Sequence, residues 1–210
     1  MIKIIYNNSI TYINVTHLNL VALLHKREIS KGFLSSLNLK FLSKLYQIIL
    51  HDDDSFLCIA FIDGHVGGVI SGTINIRNMY KKAITGKLLL YVIYLIPNIF
   101  NRSFFKKAFQ TIIYPFTAAK ADGFHENTID AELLSIVVAP EYRNLGIAKT
   151  LYSKLVDFFE NKEVDRFKIM VGSGLEGSRA FYNSLGAEEV AEISIHSHND
   201  SILFIHNIGK

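Results

Sequence analysis

The chain of 210 residues carries a single cysteine, Cys58. That excludes a disulfide scaffold and a cysteine-based zinc site, and it suits a reducing compartment. No apolar run reaches the ~20 residues that a membrane-spanning helix needs. The longest, Leu88 to Ile96, stops at Pro97-Asn98. The N-terminal stretch Met1-Ile2-Lys3-Ile4-Ile5-Tyr6 lacks the charged start, sustained apolar core and small-residue cleavage site of a secretory leader. Charge of one sign is also scarce: 22 Lys+Arg stand against 19 Asp+Glu, a net charge of +3. Dispersed as it is, this balance points away from a nucleic-acid partner. No linker rich in Ser, Pro or Gly, no low-complexity tract and no repeat divides the sequence. The expectation is one cytoplasmic domain over 1–210, with the 50% apolar content building its core.

The apolar spacing sets out the elements. Residues 10–15 alternate as a short strand, after which Thr16 caps a helix to Arg27 with Leu18, Val21, Ala22 and His25 on one face. Leu39, Leu42, Leu45, Tyr46 and Ile49 space a second helix. Phe56–Ile62 and Val66–Ile74, parted by Asp63-Gly64-His65, read as a hairpin. A helical stretch over 78–114, broken near Pro97, precedes a strand over 130–138. Ile147, Leu151, Leu155 and Phe159 recur every four residues in a long amphipathic helix. Phe167–Val171 is a strand, about 176–185 a short helix, and 188–196 with 201–206 a closing pair hinged at Asn199-Asp200. The fold class expected is α/β of the α+β type: a mixed, mostly antiparallel sheet flanked by helices.

The densest chemistry lies where the 130–138 strand meets Pro140. There the chain reads Glu141-Tyr142-Arg143-Asn144-Leu145-Gly146-Ile147-Ala148 before the long helix. The start of a helix presents unpaired N–H groups and about half a positive charge, which favours phosphate. Gly146 and Ala148 are small enough for a diphosphate to approach the backbone, and Arg143 adds a charged donor. An isolated Arg-x-x-Gly-x-Ala turn can be a plain connection; the full strand–Pro–turn–helix unit favours the phosphate reading.

With these residues the sequence resembles the GNAT acyltransferase superfamily. In that family the Arg/Gln-x-x-Gly-x-Gly/Ala turn binds the diphosphate of acetyl-coenzyme A. Ser178-Arg179-Ala180-Phe181-Tyr182-Asn183-Ser184-Leu185-Gly186-Ala187 is similar to its Phe-Tyr-x-x-Leu-Gly-Phe signature, and the likeness runs from Ala131 to the C-terminus. Two positions depart from the pattern: Leu175 where the family often has Asn, and Ala187 in place of the final aromatic. The resemblance implies a coenzyme-binding core over 131–190. Its contacts would be Arg143, Asn144, Leu145, Gly146, Ile147, Ala148 and Ser178, with the backbone of Ile136, Val137 and Val138 along the pantetheine arm. It further implies Tyr182 as the acid that protonates the thiolate and Glu132, or a water chain, as the base for the amine. Plain alternatives are a core aromatic for Tyr182 and a solvated strand-end carboxylate for Glu132, with Asp130, His125 and Glu126 as substitutes.

His25-Lys26-Arg27, Gly32-Phe33-Leu34 and Phe41-Leu42-x-x-Leu45-Tyr46 are similar to acyltransferases of bacterial surface-polysaccharide gene clusters. That likeness implies a small amine acceptor of the amino-sugar nucleotide class, with His25 facing it; a helix-surface histidine is the plain alternative. The strand position of Cys58 argues against an acyl-cysteine route. No metal is expected: His196-x-His198 lacks a third ligand, and His51-Asp52-Asp53-Asp54 lacks the glycine and alternation of a calcium loop. The apolar excess over 84–116, flanked by Lys81, Lys82, Lys87, Lys106 and Lys107, marks a helical insertion over 78–116. Core, homodimer face, acyl pocket and peripheral membrane contact are all open for it. Two other functions compete. One is a non-catalytic ligand sensor. The other is a dinucleotide-binding oxidoreductase using Gly172-x-Gly174-x-x-Gly177 and Glu192, which leaves too few residues after Glu192 for further βα units.

Overall fold

In the computed structural model the described residues are 2–6, 13–29, 38–85, 129–172, 174–196 and 199–209. The expected insertion is therefore described only at its start, and its stretch over 86–116 lies outside these residues. The elements are β1 (Ile2–Tyr6), α1 (Val15–Glu28), α2 (Leu39–His51), β2 (Ser55–Ile62), β3 (His65–Thr73) and α3 (Ile76–Thr85). After the gap come β4 (Glu132–Val138), a 3-10 turn (Pro140–Tyr142), α4 (Ile147–Asn161), β5 (Arg166–Gly172), α5 (Glu176–Ser184), β6 (Glu188–His196) and β7 (Asn199–Asn207). The strands form one sheet in the order β1-β2-β3-β4-β5-β7-β6. Only β4 and β5 run parallel; every other neighbouring pair is antiparallel. This is the mixed, mostly antiparallel sheet that the sequence predicts.

Three boundaries differ from expectation. The strand expected at 10–15 gives way at its described end to α1. Asn14, not Thr16, caps that helix, its Oδ1 accepting from the His17 amide at 3.0 Å while the Asn14 amide donates to His17 Nδ1. The isoleucine-rich run Ile2–Tyr6 is an edge strand, paired with β2 from Ile2↔Ile62 to Tyr6↔Cys58. Asn199 and Asp200 belong to β7, opposite His196 and Ser194, so they are strand residues and not the hinge expected there.

Helices cover the sheet on both faces, which is why Ser55–Ile62 is buried along its whole length. On one face α1 and α2 pack Val21, Ala22, Leu42, Tyr46 and Ile49 against Leu57, Ile59 and Val69. On the other, α4 and α5 pack Ile147, Leu151, Leu155, Phe159 and Tyr182 against Ile70, Leu133, Ile169 and Phe204. The close approach of α4 depends on glycines of β3. A Cβ on Gly72 would meet Leu155 Cδ1 at 2.6 Å and both the Glu132 carbonyl and Phe159 Cζ at 3.2 Å. Cys58 lies in this second core, where burial pushes its thiol up to about 12. It is a packing residue and not a nucleophile.

The glycine requirement is testable. Gly72→Ala should destabilise the fold by about 1–3 kcal/mol, the usual cost of overpacking a filled core, measured by urea unfolding. An unchanged midpoint would show that α4 does not rest on this site.

Candidate active site

Strands β4 and β5 share only two register pairs, Glu132↔Lys168 and Leu133↔Ile169. Beyond them β5 pairs with β7 up to Gly172↔Ser201 while β4 continues along β3 up to Val138↔Gly68. The sheet therefore opens as a wedge with its apex at Leu133 and Ile169. The backbone that faces this wedge is selected by a bulge. The register with β3 shifts between Ser71↔Ser135 and Gly72↔Leu133, and Leu134 and Ser135 both turn to the α1/α2 side. Above the bulge the Ala139 amide donates to the Gly67 carbonyl on β3. Alternation along the strand then turns Val137 to β3 as well, and Ile136 and Val138 toward the wedge. Of the three backbone positions expected to contact a pantetheine arm, two face the opening.

The mouth of the wedge is the phosphate-type turn. Gly146 is the N-cap of α4 at φ +76°, a left-handed conformation that glycine adopts without strain, and no side chain caps the helix. A Cβ there would meet nothing within 4 Å, so the first-turn N–H groups of Ile147 and Ala148 are open to an anion. Asn144 and Leu145 are exposed, Asn144 also at positive φ. Arg143 is tied to the wedge on one side and to α1 on the other. Its Nε donates to the Val138 carbonyl at 3.2 Å and its Nη2 to Glu28 Oε2 at 2.6 Å. Glu28, which also pairs with Arg27 at 2.6 Å, is a member of this site that local sequence pattern did not reveal. It is 115 residues from Arg143.

Over the apex lies Tyr182. Its ring centroid is 5.9 Å from Phe204, the register partner of Ile169, and 6.3 Å from Tyr152 of α4. Burial pushes its phenol well above the ordinary tyrosine value, so the group stays protonated. The residues after it hold it in place. The Gly186 amide donates to the Asn183 carbonyl and the Ala187 amide to the Tyr182 carbonyl, with Gly186 at φ +82°. This is a Schellman stop, and it gives the Leu-Gly of the signature a structural reason. Ser178 is half-buried in the first turn of α5, whose N-cap, Leu175, makes no side-chain cap.

Glu132 marks the apex from the other face. Leu133 belongs to the α4 core, so alternation points Glu132 and its neighbour Lys168 to the opposite side. It is not a solvated carboxylate: it is mostly buried and forms an ion pair with Lys168 at 3.4 Å. Burial raises its pKa, and Lys168 opposes the shift. His25 is not on the helix surface either. It is 3% exposed, and its Nδ1 lies 2.7 Å from Tyr46 Oη. Desolvation lowers its pKa to about 4, so the ring is neutral near pH 7. Of the substitutes for Glu132, Asp130 pairs with Arg77 at 3.4 Å, and His125 and Glu126 lie outside the described residues.

The glycine fingerprint does follow a strand and open a helix, but α5 leads to β6, and β6 reaches the sheet only through antiparallel β7. With a single parallel pair, the doubly wound topology of a dinucleotide fold is absent among the described residues. Nor do three His, Cys, Asp or Glu side chains converge as metal ligands among them. No described helix is long and apolar enough to cross a membrane.

Residues 26–187 match the family described as Acetyltransferase (GNAT) family. No curated protein matches the chain in sequence. Among solved structures it is similar to the ribosomal-protein-S18-alanine N-acetyltransferase from Escherichia coli, at 13% identity and TM-score 0.58 over 100% of this chain and 96% of that one. It is similar to the N-acetyltransferase from Staphylococcus aureus Mu50, at 10% identity and TM-score 0.62 over 99% of each chain. Arabidopsis thaliana NAA60 in complex with acetyl-CoA is 15% identical at TM-score 0.59 over 100% of each chain. At these identities the likeness is one of fold.

The buried His25 makes stability depend on pH in a defined direction. Its folded pKa lies below the unfolded value of 6.5, so the unfolded chain binds the extra proton and stability falls as pH drops from 6.5 toward 4. A shift of this size corresponds to about 3 kcal/mol. Denaturant unfolding across that window should therefore show a steeper acid loss in the native chain than in His25→Gln; equal slopes would contradict a neutral, buried His25.

Proposed function

Because the chain belongs to the acetyltransferase (GNAT) family, we propose that it transfers the acetyl group of acetyl-coenzyme A to a small amine by direct attack in a ternary complex. The observation that carries this is the wedge between β4 and β5, with an uncapped helix N-terminus at its mouth and a buried phenol over its apex. When bound, the coenzyme supplies an activated acyl carbon and a thiolate leaving group. The chain's own residues do the rest. The amides of Ile147 and Ala148, within the turn Asn144-Leu145-Gly146, receive the diphosphate, and Arg143 adds a charge-assisted donor. Ile136 and Val138 offer backbone groups to the pantetheine amides much as a sheet edge receives an added strand. Ser178 lies near the same arm.

The proton inventory then balances. Attack by the neutral amine forms the C–N bond and breaks the C–S bond. Glu132, directly or through a water chain, accepts the amine proton, and its burial suits it to hold one. Tyr182 Oη donates a proton to the thiolate, a role supported by the burial that keeps the phenol protonated. The acceptor class we favour is an amino-sugar nucleotide, by the likeness of the 25–46 region to surface-polysaccharide acyltransferases. His25 contributes there from behind Tyr46. The insertion over 78–116 is the segment we assign to acceptor choice or self-association.

Three measurements test this reading. Thiol release from acetyl-coenzyme A should appear with at least one member of an amine panel that includes amino-sugar nucleotides; binding without turnover across the panel would favour a sensor. Arg143→Ala should weaken acetyl-coenzyme A binding by about tenfold in calorimetry, the value of one charge-assisted contact. Tyr182→Phe should lower kcat by about a hundredfold with coenzyme affinity nearly intact, as loss of an acid predicts. An unchanged kcat removes Tyr182 from the chemistry.

A further inference from the structure

Four buried polar side chains from four elements are joined in a line. His25 Nδ1 of α1 lies 2.7 Å from Tyr46 Oη of α2; that hydroxyl lies 3.0 Å from Ser135 Oγ of β4; and Ser135 Oγ lies 2.8 Å from Ser71 Oγ of β3. All four are almost completely buried. A buried hydroxyl or imidazole is costly unless its hydrogen bonds are made, and it makes them only in one geometry. An apolar filling of the same space would hold the layers together without fixing how they slide. What this line adds is register.

Its position decides which register. Ser71 and Ser135 are the last paired residues above the shift to Gly72↔Leu133, so the line ends on the bulge itself. The bulge sets the parity of β4 above it, and a slip of one residue would turn Val137 to the wedge and take Ile136 and Val138 out of it. Nothing else at this point of β4 is polar: its neighbours Leu134, Ile136 and Val137 are apolar and tolerate sliding.

We propose that His25, Tyr46, Ser135 and Ser71 are positioning residues that lock the β4 bulge and thereby aim the Ile136 and Val138 backbone at the pantetheine arm. The proposal rests on the acetyl-coenzyme A reading for its ligand, but the lock itself is a property of the chain alone. It gives the histidine of the 25–46 region a task that needs no contact with acceptor. The neutral ring is a partner for the Tyr46 hydroxyl, and through it the α1/α2 layer reports on the coenzyme strand.

Two readouts in Tyr46→Phe and Ser71→Ala test it, each with the full chain. The first is amide hydrogen exchange in the ligand-free protein: the Ser135 and Val137 amides, which face β3, should exchange about tenfold faster, the factor that one lost hydrogen bond represents, with β2 and β5 unchanged. The second is calorimetry with two probes. Acetyl-coenzyme A should bind about tenfold more weakly, while adenosine 3′-phosphate 5′-diphosphate, which carries the diphosphate without the arm, should bind as to the native chain. Ser71→Ala leaves the Tyr46–His25 bond in place and so serves where Tyr46→Phe folds poorly. Unchanged exchange at Ser135 and Val137, or equal weakening of both probes, overturns the lock. If the native chain binds neither probe, the coenzyme reading fails, and the exchange result still decides whether the bulge is locked.

Discussion

The structure turns on a strand that leaves its neighbour. After two shared pairs β5 follows β7 and β4 follows β3, and in a sheet whose other seams are antiparallel the one parallel seam is the one that opens. Backbone N–H and C=O groups are obligatory hydrogen-bonding partners, so an open seam in the middle of a sheet is a constraint before it is a site. Val138 meets it by accepting from Arg143; the rest of the edge is available to a ligand with a peptide-like arm. Pantetheine, with its two amides, is such a ligand.

The remaining features follow from that opening. Parity along β4 decides which groups face the wedge, and the bulge decides parity. The turn at Arg143–Ala148 lies at the mouth because Pro140 stops β4 and the helix must return over β3, where glycines let it approach. Tyr182 lies over the apex because α5 stops two residues later with bonds to its own Tyr182 and Asn183 carbonyls. Glu28 links α1 to Arg143, which joins the α1/α2 layer to the turn at the mouth just as the Tyr46 hydroxyl joins that layer to β4 at the bulge.

Much of this was legible in the sequence wherever a local pattern has one physical solution. Ile147, Leu151, Leu155 and Phe159 can face a common core only as a helix, and Asp63-Gly64 between two apolar runs leaves little besides a hairpin. Gly146 after a Pro-terminated strand marks the turn for the same reason. What escaped was non-local. Lys168 beside Glu132, Glu28 beside Arg143 and Ser135 beside Tyr46 meet through the sheet order, across separations that no spacing rule reaches. His25 shows the difference plainly: its helical position placed it on the buried face, but only the packing of α2 supplied Tyr46 as its partner. β1 was hidden because a run of four apolar residues broken only by Lys3 looks alike whether it pairs with a sheet edge or not.

The central claim is that the wedge receives the coenzyme's arm through the backbone of β4. Amide resonances of the native chain during titration with acetyl-coenzyme A test it directly. The account predicts large shifts and slowed hydrogen exchange at Ile136 and Val138, with Ser135 and Val137, already bonded to β3, little changed. Shifts confined to other strands, with Ile136 and Val138 unaffected at saturation, would contradict it.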